Sequence, residues 1–270
     1  MENLTSKLEQ VCPDNALEML QHNTRNRPMK KNLVIFYADQ MLRGLWKVNG
    51  EPIIIGDGNV LLNGQHRLAA VVKSKTTQHF IIIRGVDPNT QDTMDTGVVR
   101  TAGDMLSMND VKNANRIAAY ISAYFNIRKN IIVTSNSKVS KHSKQEIVME
   151  YNQNKLYWQD VNDKASHLTA KLKLMSNKAL GGYIAYLTKD KKHSIDVVYS
   201  FFKQLYYAQN VENEVINLLR DKLLKEATGQ YKMTAKLRHV IITKTWNAYL
   251  SGRELKILRH NLDETIPDFI

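Results

Sequence analysis

Apolar positions follow two rhythms along the chain. Over residues 30–44, Leu33, Tyr37 and Met41 recur at every fourth position with Phe36 and Gln40 adjoining; this is the spacing of one helix face, and Gly44 supplies a stop. Glu51-Pro52-Ile53-Ile54-Ile55 then reads as a strand, Gly56-Asp57-Gly58-Asn59 as a turn, and Val60-Leu61-Leu62 as the returning strand of a hairpin. A helical run from Leu68 to Lys73 follows. A strand from Phe80 to Arg84 comes next, closed by Gly85 and Asp87-Pro88. Residues 30–90 therefore predict helix, hairpin, helix, strand. Ahead of them, residues 1–28 are polar, with one amphipathic stretch from Ala16 to Leu20.

After Asp95-Thr96-Gly97 the rhythm is helical. Residues 101–128 place Ile117, Tyr120, Ile121 and Tyr124 on one face, and the polar stretch Asn130 to Lys144 predicts a linker. Ser143 followed three residues later by Glu146 is a capping box that opens the next helix. Further helices are expected near 160–174, 178–188, 194–208, 211–226 and 233–250. Gly181-Gly182 marks either a close helix contact or a break, and Leu255 to Leu258 looks extended. The chain is thus expected to be α+β: a small α/β domain over 1–106 and a mainly helical domain over 107–270 with a short extended tail.

Composition narrows the class. The single cysteine, Cys12, excludes a disulfide framework and any zinc site that needs two thiolates. No apolar run nears the roughly 18 residues of a membrane helix, and the polar start lacks the apolar core of a signal peptide. The expected setting is cytoplasmic.

Charge divides the chain more sharply. The net charge is +12, yet residues 1–110 sum to zero, so the whole excess lies in residues 111–270, together with eleven of the twelve tyrosines. Lysine and arginine release counterions from phosphate, and aromatic rings stack on bases, so the second region is a candidate DNA-contacting surface. Its candidate contacts are Lys138, Lys141 and Lys144 in the linker, and Lys236 and Arg238 in the last helix. The competing reading is that the lysines line solvated faces and the tyrosines fill a core.

The chemistry concentrates in Asn63-Gly64-Gln65-His66-Arg67, where a strand ends and a helix begins. The first amides of a helix have no internal partner and point at any anion placed there. Arg67 offers a fork of donors to phosphate oxygens, His66 a hydrogen bond or a proton shuttle, and Asn63 an Asx-type turn. Arg27, Glu51 and Arg100 are further candidates for the same corner. Asp95 is the best catalytic carboxylate, able to position Mg²⁺ or a nucleophile, or else to pair with Arg100. Asp104 reads as a helix cap. The remaining histidines are scattered without ligand spacing, so no metal site is expected.

The segment Asn63-Gly64-Gln65-His66-Arg67-Leu68-Ala69-Ala70 resembles the Asp-Gly-Gln-His-Arg hallmark of phage-encoded members of the ParB/sulfiredoxin superfamily. Asn26-Arg27-Pro28, Tyr37 to Met41, Gly50 to Ile53, Arg84 to Asp87, Met94 to Gly97 and Lys244 to Tyr249 look like the same group. The resemblance implies a nucleoside di- or triphosphate at this corner, with Mg²⁺ as a further expectation. It also implies one of several activities: a nucleotide-dependent DNA-binding switch, a phosphotransferase, or a nuclease serving DNA modification or processing. A phage protein that binds a host factor is a third possibility, and a homodimer another expected assembly. Two departures matter. Sulfiredoxins place a reactive cysteine where this chain has Gln65. The leading acid of the motif is Asn63 here, and an amide neither takes a proton nor holds Mg²⁺ well. The first argues against sulfinic-acid repair, and the second favours binding over catalysis.

Overall fold

The computed structural model describes residues 4–24, 26–94, 100–130, 142–209, 211, 213–260 and 264–270. The chain divides into two compact units after Val99, so Arg100 and the helix that follows belong to the second. The fold is α+β, as the patterning predicts.

The first unit is a four-stranded mixed sheet with helices packed on one face. Its elements are β1 (Thr5–Val11), α1 (Pro13–Gln21), α2 (Lys31–Leu42), β2 (Ile53–Gly56), β3 (Leu61–Asn63), α3 (Gln65–Ser74) and β4 (Gln78–Val86). The strand order is β1-β4-β2-β3; β1 and β3 run antiparallel to their neighbours, while β2 and β4 are parallel. The parallel step requires a crossover, and α3 makes it. Alternation puts Ile53 and Ile55 of β2 and Phe80 and Ile82 of β4 on the helix side. There they pack with Val34, Ala38, Met41, Leu68 and Val71. Tyr37, Trp46 and Phe80 extend this core through edge-to-face ring contacts. β1 has no counterpart in the sequence prediction.

The second unit is helical: α4 (Ala102–Ser107), α5 (Ala114–Arg128), α6 (Lys144–Gln153), α7 (Lys155–Thr169), α8 (Asn177–Lys189), α9 (Ile195–Tyr207), α10 (Glu214–Ala227) and α11 (Ala235–Leu250). Reciprocal capping boxes open α4, from Thr101 and Asp104, and α6, from Ser143 and Glu146. Gly181-Gly182 is a close contact and not a break. A Cβ on Gly181 would lie 2.4 Å from the Tyr120 ring, and one on Gly182 would lie 2.6 Å from the Ala123 Cβ, so α8 and α5 touch backbone to side chain. The expected single helical stretch at 101–128 is interrupted, with Asp110 and Asn113 both at φ +57° between α4 and α5. Leu255–Leu258 joins no strand ladder; Leu258 is instead buried in the helical core. No described helix is long and apolar enough to cross a membrane.

Candidate phosphate-binding corner

β3 delivers the chain to the corner and Gly64 turns it. Gly64 sits at φ +108°, and a Cβ there would lie 3.0 Å from Ile53 Cγ1, so both the backbone angle and the close approach to β2 demand glycine. The internal bonding of α3 begins at the Arg67 and Leu68 amides, which donate to the Gly64 carbonyl at 2.9 and 3.0 Å. The Gln65 and His66 amides lie ahead of it, at the positive end of the helix dipole.

The motif side chains turn inward. Gln65 is buried; its Nε2 donates to the Arg27 carbonyl at 2.9 Å and its Oε1 accepts from Asn23 Nδ2 at 3.0 Å. This bond continues a line of carboxamides. Gln91 Nε2 donates to Asn26 Oδ1 (3.2 Å) and to the Leu62 carbonyl (3.0 Å), and Asn26 Nδ2 donates to Asn23 Oδ1 (2.7 Å) and to the Leu61 carbonyl (2.6 Å). With the Leu61 amide on the His22 carbonyl at 3.0 Å, the network pins His22, Asn23, Asn26 and Arg27 along β3 and the start of α3. Arg67 forks onto the Glu51 and Pro52 carbonyls, the latter at 2.8 Å, and so fixes the approach to β2. Asn63 ends β3 opposite Ile54 and is half-buried.

His66 joins two helix starts. Its Nε2 accepts the Lys30 amide at 3.0 Å, and Lys30 is the N-cap of α2. The ring therefore carries its proton on Nδ1. Burial pushes the imidazole below its ordinary pKa, and the Arg27 and Lys30 charges add to the shift, so it stays neutral. A proton-shuttle role would require the Lys30 bond to break first. The first turns of α2 and α3 meet here, and neither contains an acidic residue. The exposed Arg27 and Lys30 supply positive charge at the same place. Backbone amides, two helix dipoles and two cations together suit a phosphate group.

The other candidates divide. Glu51 is exposed and contributes its carbonyl to Arg67. Asp95, Lys138 and Lys141 lie outside the described residues. Arg100 is exposed at the start of the second unit. Lys144 and Lys236 are exposed near the first positions of α6 and α11. Arg238 differs from them: its guanidinium forks onto Glu226, with Nε to Oε2 at 2.9 Å, and joins α11 to α10. Lys189 is likewise committed, held by Glu150 among the rings of Tyr124, Tyr157 and Trp158. The tyrosines are mostly core: Tyr120, Tyr124, Tyr151, Tyr183 and Tyr206 are buried, Tyr157, Tyr186, Tyr199, Tyr207 and Tyr249 pack against the same core, and burial raises the phenol pKa of Tyr120, Tyr124, Tyr183 and Tyr206. Cys12 stands at the N-cap position of α1, and its thiol donates to Asn15 Oδ1 at 2.7 Å.

Asn23 and Gln91 carry no signal in the sequence, and Asn26 stands out only within the resemblance. They lie 42, 29 and 35 residues from the partners they hold, so no local spacing marks them. Comparison with family models, curated proteins and solved structures finds no match for this chain.

Proposed function

We propose that the corner binds the phosphates of a nucleoside di- or triphosphate, and that the basic second unit contacts DNA. The observation that carries the reading is the meeting of the α2 and α3 starts at His66, with Arg27 and Lys30 beside them and no acid in either first turn. The corner's own side chains are spent on scaffolding, which favours binding over group transfer by His66. DNA contact rests on the +12 charge of residues 111–270 and on the exposure of Lys144 and Lys236.

A thermal-shift panel of nucleotides, with and without Mg²⁺, tests the corner. Nucleoside di- and triphosphates should stabilise the protein where the bare nucleoside does not, and Arg27→Ala/Lys30→Ala should remove most of the shift. An absent shift in wild type refutes the reading. DNA affinity should fall steeply with salt, and a salt-independent affinity would exclude a phosphate-contact mode.

A further inference from the structure

Outside the corner, the feature with the most specific consequence is the open edge of the sheet. β1 is an edge strand seven residues long, Thr5-Ser6-Lys7-Leu8-Glu9-Gln10-Val11, with β4 on one side and no described strand on the other. Its residues 5–8 are exposed, and Leu8 is 62% exposed. An edge of this length presents a row of unpaired backbone donors and acceptors, a template for another strand.

The side chains say which strand fits. We infer that β1 pairs antiparallel with β1 of a second copy, about a two-fold axis at Leu8. In that register Lys7 of each copy stands opposite Glu9 of the other, Leu8 opposite Leu8, and Ser6 opposite Gln10. Both charged pairs are of opposite sign, whereas a register shifted by two residues would set Lys7 against Lys7 or Glu9 against Glu9. Glu9 is held for this by Arg84, whose guanidinium bonds both its oxygens and, with Lys7, keeps its carboxyl below the usual range. The apolar side agrees. Leu8 pairs with Ile81, and Ile83 with Ile54, on the sheet face turned away from the helices. The two-fold would join these strips through the Leu8 contact and remove the strand's one leucine from water. A two-fold interface repeats each contact, so one substitution acts twice.

Sedimentation velocity over a wide concentration series tests this on the full chain. Wild type should show a reversible monomer–dimer equilibrium. Lys7→Glu, which creates two Glu–Glu oppositions, should weaken it by about tenfold, less at high salt. Register is read by cross-linking in a Cys12→Ser background, where serine keeps the N-cap of α1. Leu8→Cys should form an intermolecular disulfide on mild oxidation, because directly opposed positions lie within disulfide reach. Ser6→Cys should not. A wild type that stays monomeric throughout, a dimer indifferent to Lys7→Glu, or cross-linking at Ser6→Cys equal to that at Leu8→Cys would each overturn the inference. The nucleotide panel is independent of all three readouts.

Discussion

Replacing Gly64 by alanine tests how the corner is built. Two costs add. A side chain at φ +108° meets the steric penalty of the left-handed side of backbone space, about 1–2 kcal/mol. The new Cβ would also lie 3.0 Å from Ile53 Cγ1 and 3.3 Å from its Cβ and Cγ2, and Ile53 is fully buried in the central strand pair. Overpacking of that kind costs about 1–3 kcal/mol, so a total of about 2–5 kcal/mol is expected. Amide hydrogen exchange read by mass spectrometry localises the effect. Peptides covering β2, β3, α3 and β4 should exchange about 30-fold to 4000-fold faster where global opening governs them, while those of the second unit keep their rates. Gly58→Ala is the control. Gly58 has φ +70°, but a Cβ added there would meet nothing within 4 Å, so only the backbone penalty of about 1–2 kcal/mol applies. If Gly64→Ala is no more disruptive than Gly58→Ala, the close approach to Ile53 is not what fixes the glycine.

Three further outcomes follow from the second unit. Burial pushes His239 down to about 4, so it folds neutral; stability should be flat above the ordinary histidine value of 6.5 and fall by up to about 3 kcal/mol as pH drops towards 4, a slope that His239→Phe removes in urea midpoints measured against pH. Gly182→Ala should destabilise the α5–α8 contact by about 3 kcal/mol despite the better helix propensity of alanine, because the Cβ meets the Ala123 carbonyl carbon and the Tyr124 amide nitrogen, both at 3.1 Å; a stabilised variant in thermal melts would contradict that contact. Lys236→Ala should weaken DNA binding and flatten its salt dependence by about one ion, whereas Arg238→Ala should lower stability by about 1 kcal/mol and leave that slope alone, since its charge is already satisfied by Glu226; equal slopes for the two variants would refute the distinction.

The periodic parts of the fold are legible in the sequence for a physical reason: the hairpin, α3 and the long helices each bury one face, and burial writes a period of two or of 3.6 into the apolar positions. β1 lacks that imprint because only Val11 of its seven residues is buried, so no alternation distinguishes it from a loop. The corner is legible in its location and not in its wiring. Asn63 to Arg67 stand out as a cluster of polar groups at a strand-to-helix turn, and such groups read most simply as facing a ligand. Apart from the Asn23 carboxamide on Gln65, however, the partners described for Gln65, His66 and Arg67 are main-chain carbonyls at Arg27, Glu51 and Pro52 and the amide of Lys30, which have no side-chain signature at all. The consequence reaches function. With Gln65, His66 and Arg67 holding the segments that surround the α3 start, the proposed phosphate recognition would rest on backbone amides and on the long side chains of Arg27 and Lys30. Those groups sense charge more than shape. Discrimination among nucleotides should therefore follow phosphate number before base identity, and a panel in which the base dominates would return the recognition role to the motif side chains.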